Sequence, residues 1–121
     1  MPNSTQFPAI LTGNLNATIA NASSLSDAID LNGTTLVGYI IPSAWTAADI
    51  TIQGSADGTN FHDLYNSSGN EIKHVVDADQ FITLSPSGMA CLRHIKIRSG
   101  TSSTPVNQAA QRVITLVTRS V

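Results

Sequence analysis

The chain has 121 residues, a formal net charge of -2 and only 12% charged side chains, about half the usual share; Ser, Thr and Asn together supply about 30% of the residues. A chain of this length forms one domain without needing disulfides or a structural metal, and its aliphatic content argues against disorder. No apolar run approaches the roughly 20 residues that span a bilayer, and a pI near 5.8 argues against general nucleic-acid binding, so we expect no membrane and no nucleic acid as partners.

Short segments of alternating Ile, Val, Thr and aromatic residues follow a polar beginning of the chain. Residues 1–21 are interpreted as a polar N-terminal arm and residues 22–121 as a single β-sandwich domain, with one or two strands expected within residues 10–31. Helix signals are weak, and residues 100–111 are interpreted as a long loop. The period-two alternation predicts further strands at residues 35–41, 49–54, 61–65, 71–76, 80–84, 92–99 and 112–120.

These strands indicate an all-β protein with little helix. Ile50 and Ile52 alternate with polar residues, as expected of a strand with one buried side, and Asp57-Gly58 is typical of a tight hairpin turn. About eight short strands in 100 residues favour an antiparallel two-sheet sandwich. Because Cys91 has no second cysteine to pair with, the immunoglobulin hallmark is absent, and a jelly roll is the first choice.

The charges are divided along the chain. No Lys or Arg precedes Lys73, whereas six of the eight acidic residues do, and all six basic residues follow from that point. The two halves could form separate faces and make the molecule dipolar. We favour the alternative, in which early and late strands alternate within the sheets and mix the charges, as antiparallel sandwiches commonly do.

The beginning of the chain and its single cysteine indicate where the protein is made. Residues 1–6 have neither the basic stretch nor the apolar core of a secretory signal, so we expect no export. Cys91 is interpreted as a small buried side chain, and one cysteine excludes an intramolecular disulfide. Both features are typical of a protein made in a reducing cytoplasm.

No arrangement of residues predicts chemistry. Ser55 lies in a stretch that superficially resembles a nucleophile elbow, but a hairpin turn explains the stretch better. His62 and Asp63 are adjacent on a strand, so their side chains point to opposite faces. Asp77 and Asp79 fit a solvated turn better than a cation site. We therefore expect no enzymatic activity, no metal and no cofactor.

One polar row is a candidate for binding. The strand at residues 92–99 turns Ile95 and Ile97 to one face, which leaves its polar side chains on the other. This row is either a contact for an anionic surface or an ordinary solvated sheet face. Its candidate residues, with neighbours that could join it, are Lys73, Arg93, His94, Lys96 and Arg98.

Two stretches of the chain resemble a group of small virion proteins of tailed bacteriophages. The first runs from Leu36 to Tyr65 and includes Gln53-Gly-Ser-Ala-Asp-Gly-Thr-Asn-Phe61, and the second runs from Leu92 to Gln108 and continues into the last strand. The similarity covers about residues 25–120. The turn in the first stretch is also similar to one in discoidin-type carbohydrate-binding sandwiches.

The resemblance implies a jelly-roll decoration or cement protein on the outside of a phage capsid. Such a protein would be made in the host bacterial cytoplasm, bind the major capsid protein, stabilise contacts between capsid subunits, and form a homodimer or homotrimer. The cationic row would then supply the capsid contacts. The alternative is a glycan- or receptor-binding module of a head or tail fibre, with Trp45, Tyr39 and Tyr65 as stacking rings, although a tryptophan that closes the end of a core is more common.

Overall fold

The computed structural model describes residues 15–120. Within them the alternating segments form nine strands and one short helix. The elements are β1 (Leu15–Ile19), β2 (Ile29–Asp30), β3 (Thr35–Ile40), β4 (Ile50–Ser55), β5 (His62–Asp63), β6 (Lys73–His74), β7 (Phe81–Thr83), α1 (Pro86–Met89), β8 (His94–Ser99) and β9 (Arg112–Arg119).

The strands pair in the nested order of a jelly roll. Sheet A has the order β1-β9-β3-β7, and sheet B has the order β2-β8-β4-β5, with β6 also paired to β4. First and last strands pair, then second and next to last, as in one long hairpin rolled into two antiparallel sheets. This confirms the predicted all-β, two-sheet jelly-roll sandwich. Because β5 and β6 share one position beside β4, the nine strands observed match the eight or so expected.

The core lies between the two sheets and is built from the inward-facing residue of each alternating pair. Ile50 and Ile52 on β4 lie beside Ile95 and Ile97 on the neighbouring strand β8, on the inner side of sheet B, and all four are buried. Side chains from sheet A close the layer from the other side. The buried core of residues 15–120 also includes Ala17, Ile19, Leu31, Leu36, Tyr39, Ile41, Trp45, Ile114 and Leu116.

The strands expected within residues 10–31 are β1 and β2, and β1 shows that the sandwich begins inside the segment interpreted as an arm. Residues 15–19 form β1, which pairs with β9 along its whole length, and Ala17 and Ile19 are fully buried. The polar residues that alternate with them face outward, which is why this part of the sequence has the composition of an arm. Of the arm expected at residues 1–21, residues 1–14 lie outside the described part of the chain.

One local expectation needs correction. Cys91 is exposed rather than buried, because it lies in the turn after α1, where Met89 supplies the buried side chain instead. The long loop expected at residues 100–111 is confirmed, and hydrogen bonds hold it: Val106 N donates to Ser99 O, and Gln108 N donates to Ser23 O. The positive φ expected at Asp57-Gly58 is confirmed at Gly58, with φ 81°, but the connection is longer than a tight hairpin, because the pairing of β4 with β5 ends at Gly54 and His62.

Candidate functional site

The Ser55 hydroxyl is committed to a turn. It donates a hydrogen bond to Asp57 Oδ1 at 3.0 Å and accepts from the backbone N–H groups of Asp57 and Gly58. The Asp57 carboxylate accepts from the backbone N–H groups of Asn60 and Thr59, which hold its pKa well below the ordinary range. These bonds give Ser55 and Asp57 a structural role at the end of β4.

The side chains that could bind a metal ion are dispersed over the described residues. Within residues 15–120, no group of three or more His, Cys, Asp or Glu side chains is placed to hold a metal ion. Asp77 and Asp79 are exposed in a turn, with Asp79 at φ 62°. The turn is closed by Gln80, whose side-chain oxygen accepts from Asp77 N.

The cationic row lies on the outer face of sheet B. His94, Lys96 and Arg98 of β8 are opposite Ser55, Gln53 and Thr51 of β4, and in antiparallel strands opposed residues share a face. Lys73 of β6 is opposite Thr51, and Asp30 of β2 is opposite His94. We call this outer surface of sheet B, with its bordering residues Phe61, Asp63, Glu71 and Arg93, the ion-pair face.

Arg98 is the centre of the ion-pair face but is not available to a partner. Its side chain is only 10% exposed, and its two terminal nitrogens contact Asp63 Oδ1 at 2.7 Å and Glu71 Oε2 at 3.3 Å. Glu71 also accepts from the backbone and hydroxyl of Ser102. The sequence interpretation of Arg98 as a surface contact is therefore corrected: it joins the region of β5 and β6 to the loop after β8.

The surroundings of Asp63 favour its charged form. Burial opposes ionisation of Asp63, but hydrogen bonds from Arg98 and Gln53 and the charge of Arg98 outweigh it, so the pKa of Asp63 lies below its ordinary value. Thr51 Oγ1 accepts from Arg98 and donates to the backbone oxygen of Gly100. The guanidinium is thus surrounded by oxygen atoms, which is what a partly buried charge requires.

The remaining cations of the row also have partners. Arg93 pairs with Asp30 at 3.1 Å, which raises the pKa of Arg93 and lowers that of Asp30 through the hydrogen bond between them. Lys73 pairs with Asp49 at 3.5 Å, and Lys96 Nζ lies 4.6 Å from the centre of the Phe61 ring. Positive and negative side chains therefore lie close together on the ion-pair face, and its local net charge is close to zero.

Every one of these ion pairs joins an acid that precedes residue 72 to a base that follows it. The reason is topological, because nested pairing brings early strands beside late ones. The expected mixing of the charges is confirmed, and separate acidic and basic faces do not form from these pairs.

The three rings considered for glycan stacking do not form one surface. Tyr39 is fully buried, and Trp45 is buried with its indole Nε1 donating to Ala48 O at 3.0 Å. Tyr65 alone of the three presents its ring to solvent. The expectation of a stacking platform is corrected for Tyr39 and Trp45, since both side chains are buried in the core.

Tyr39 has a polar role inside the sandwich. Its hydroxyl shares a 2.6 Å hydrogen bond with His74 Nδ1. Burial raises the pKa of Tyr39 well above its ordinary value and lowers the pKa of His74 below 6.5. A neutral imidazole is therefore the favoured partner of the protonated hydroxyl.

Lowering the pH is expected to destabilise the fold through His74. Because the folded pKa is below the unfolded value, the unfolded chain binds more protons, and stability is lost progressively as pH falls below about 6.5. Urea unfolding of the wild type and of His74→Gln at pH 7.5 and 5.5 measures this effect. The loss between the two pH values should be smaller in the variant, and an equal loss in both proteins would contradict the assignment.

The outer face of sheet A is different in character and was not anticipated from the sequence. Register and alternation place nine uncharged residues on it, and Phe81 lies over Gly38, where an added Cβ would come within 2.9 Å of the ring. We call this surface the apolar face. Its members are Asn16, Thr18, Gly38, Ile40, Phe81, Thr83, Val113, Thr115 and Val117.

Gln108 is a second feature that sequence reasoning missed. It is 1% exposed, its amide nitrogen donates to Thr46 O and Ser99 Oγ, and its amide oxygen accepts from Thr46 N. This side chain connects the loop after β8 to the segment between β3 and β4. A single buried glutamine in a polar loop has no local sequence signature, so only the fold reveals it.

Comparison with known proteins leaves the fold and these surfaces as the basis for a functional proposal. No family model matches the chain, no curated protein matches it, and no solved structure matches it. No helix within residues 15–120 has the length and apolar character to cross a bilayer. The class that the structure defines is a jelly-roll β-sandwich with one ion-paired and one uncharged outer face.

Proposed function

We propose that the chain is a structural virion protein that decorates the outside of a tailed-phage head and stabilises contacts between major capsid subunits. The observation that carries the proposal is the ion-pair face, a broad sheet surface whose charged side chains are already held by partners of the same chain. The resemblance drawn from the sequence of residues 25–120 favours the same function, and it rests on the sequence pattern alone, since no curated protein or solved structure matches the chain.

A surface whose charged side chains already have partners in the same chain is suited to binding a large, flat partner. Side chains that are fixed before binding lose less conformational entropy when they are covered, and alternating charges specify a partner without a strong overall field. The exposed pairs provide the alternating charges, and the largely buried cluster of Arg98 with Asp63 and Glu71 provides the fixed side chains. The capsid contacts in this proposal are Lys73, Arg93, His94 and Lys96, and Arg98 positions the acids beside them.

The structure gives less support to a glycan-binding module. Such a site commonly uses aromatic rings exposed on one surface, and here two of the three candidate rings are in the core. The proposed cement function does not require those rings to be exposed.

Binding to capsid shells tests the proposal. The purified protein should co-sediment with expanded empty shells of the phage that encodes it and not with immature shells. Because Lys73, Arg93 and Arg98 each lie beside an acid of the same chain, the net charge of the face is small. Occupancy should therefore change by less than about twofold between 50 and 500 mM salt, whereas a patch of unpaired cations would be screened strongly over that range. Binding to neither kind of shell would sink the proposal.

A pair of variants tests the contact surface. Lys96→Gln removes one positive charge and the contact with the Phe61 ring on the ion-pair face, whereas Ser87→Asp makes the same change of net charge on exposed α1. Shell occupancy at limiting protein should fall several-fold for Lys96→Gln and stay at the wild-type level for Ser87→Asp. Equal occupancy for both variants would remove the ion-pair face from the proposal.

A further inference from the structure

The apolar face carries most of the large apolar side chains that the described residues expose. Five such side chains are exposed in residues 15–120, and three of them, Ile40, Phe81 and Val113, lie together on this face. Phe81 is 57% exposed and Val113 is 42% exposed. Contiguous apolar surface of this kind marks an interaction site on a soluble protein.

The charges of sheet A are at its margins. The four strands of the sheet contain two charged residues, Arg112 and Arg119, at the two ends of β9. Asp27 lies beside β1, where its carboxylate accepts from Thr18 N at 2.9 Å. The interior of the face is therefore uncharged and bordered by ions, the usual anatomy of a protein–protein interface.

The edges of sheet A are poor places for a partner to add. Asp27 is bonded to the outer edge of β1 through its side chain and its backbone N–H, and β7 at the opposite edge has only three residues. Short or covered edges prevent pairing with another strand. A partner of this sheet therefore packs on its face.

We infer that the apolar face packs against the same face of a second copy, forming a two-fold symmetric dimer. In a two-fold symmetric interface the same residues of both copies lie against one another. A face with charges of one sign would therefore be repelled by the same face of the second copy, whereas an uncharged face is not. A different partner protein would more commonly be specified by complementary charges, which the interior of this face lacks. The inference does not depend on the proposed function.

The size of the face is that of a small interface of modest affinity. With about 3.4 Å per residue and about 4.8 Å between strands, the four strands present roughly 350 Å² of flat area per protomer, or roughly 700 Å² for two copies. Side-chain relief and the flanking loops increase the accessible area toward about 1,000 Å², which is the lower limit for a specific interface. Two sheets stacked face to face at about 10 Å would continue the layering of the sandwich itself.

Sedimentation of the isolated full-length chain tests the inference. Equilibrium runs from about 1 to 300 µM cover the dissociation constants expected of a small interface. The wild type should fit a monomer–dimer equilibrium. Val113→Lys and Thr115→Lys place a charge inside the face and should weaken the dimer by at least about tenfold, while Val75→Lys makes the valine-to-lysine change at an exposed residue outside the strands of sheet A and should leave it intact.

Thermal unfolding and circular dichroism serve as controls that each variant is folded. Loss of the dimer in a folded variant can then be assigned to the interface. A wild type that is monomeric up to 300 µM, a dimer that both lysine variants leave unchanged, or a trimer would each overturn the inference. A monomer that dimerises only after removal of residues 2–14 would assign the face to the N-terminal segment, and a monomer whose shell binding Thr115→Lys abolishes would assign it to the capsid. Either result overturns the dimer, and only the shell assay addresses the cement function.

Discussion

Replacing Arg98 with alanine is expected to lower the free energy of unfolding by about 3 kcal/mol, because it leaves two partly buried carboxylates without their counter-charge. Asp63 and Glu71 both contact this guanidinium, and Thr51 adds a third oxygen. The cost comes mainly from the acids that remain, since removing one partner of such a pair exposes the full desolvation penalty of the other. Urea unfolding at pH 7 measures the change.

Arg93→Ala is the matched control for this prediction. It removes a cation from the same face, but the Arg93–Asp30 pair is largely exposed to solvent, where water and salt replace much of the interaction. Its unfolding midpoint should stay close to that of the wild type. Combining Arg98→Ala with Asp63→Asn and Glu71→Gln should recover part of the loss, since the stranded charges are gone. Equal destabilisation by Arg93→Ala and Arg98→Ala would contradict a special role for the cluster.

The loop after β8 is expected to be equally sensitive at Gly100. This residue has φ 92°, and a Cβ there would lie 2.5 Å from Thr104 O and 2.7 Å from Val106 N. Both atoms are backbone and cannot move aside without opening the loop. Gly100→Ala should therefore cost about 3 to 5 kcal/mol, from the left-handed conformation and the overlap together.

Gly33→Ala separates these two contributions. Gly33 also has a positive φ, 81°, but an added Cβ there would meet nothing within 4 Å. Its cost should be about 1 kcal/mol, from backbone conformation alone. Thermal unfolding of the two variants side by side is the measurement, and similar losses would show that crowding at Gly100 is relieved at little cost.

The Gly100→Ala variant also tests the role of the ion-pair face. Gly100 O accepts from Thr51 Oγ1, and Ser102 in the same loop donates to Glu71. A displaced loop would release one side of the acid cluster. Under the proposed function, Gly100→Ala should therefore lower shell occupancy at temperatures where the variant is still folded, whereas Gly33→Ala should not.

Much of the fold could be predicted from contiguous residues. The alternation of Ile50 and Ile52 with polar neighbours is a local pattern, and the strand it predicted was observed within one residue of its expected ends. A strand was expected within residues 10–31, but its position at β1 was not predicted, because its outward residues, Asn16 and Thr18, are as polar as those of a loop. Only the pairing of β1 with β9 shows that Ala17 and Ile19 belong to the core.

The surfaces were less accessible to sequence reasoning, because they depend on which strands become neighbours. The row on β8 was placed on one face correctly, but the acids that neutralise Arg98 are 27 and 35 residues away in the chain. No local sequence pattern predicts contacts between residues so far apart in the chain. The uncharged character of the apolar face likewise arises from four strands that are far apart in sequence.

The sequence by itself determined an all-β sandwich with little charge, few helical residues and buried isoleucine pairs, because side-chain alternation is encoded residue by residue. The tertiary structure decided how that small number of charges is used. Nested strand pairing gathers early acids and late bases on sheet B and leaves sheet A with an uncharged outer face. Strand register brings together residues that are far apart in the sequence. For this reason one chain of low charge has two surfaces of different chemistry.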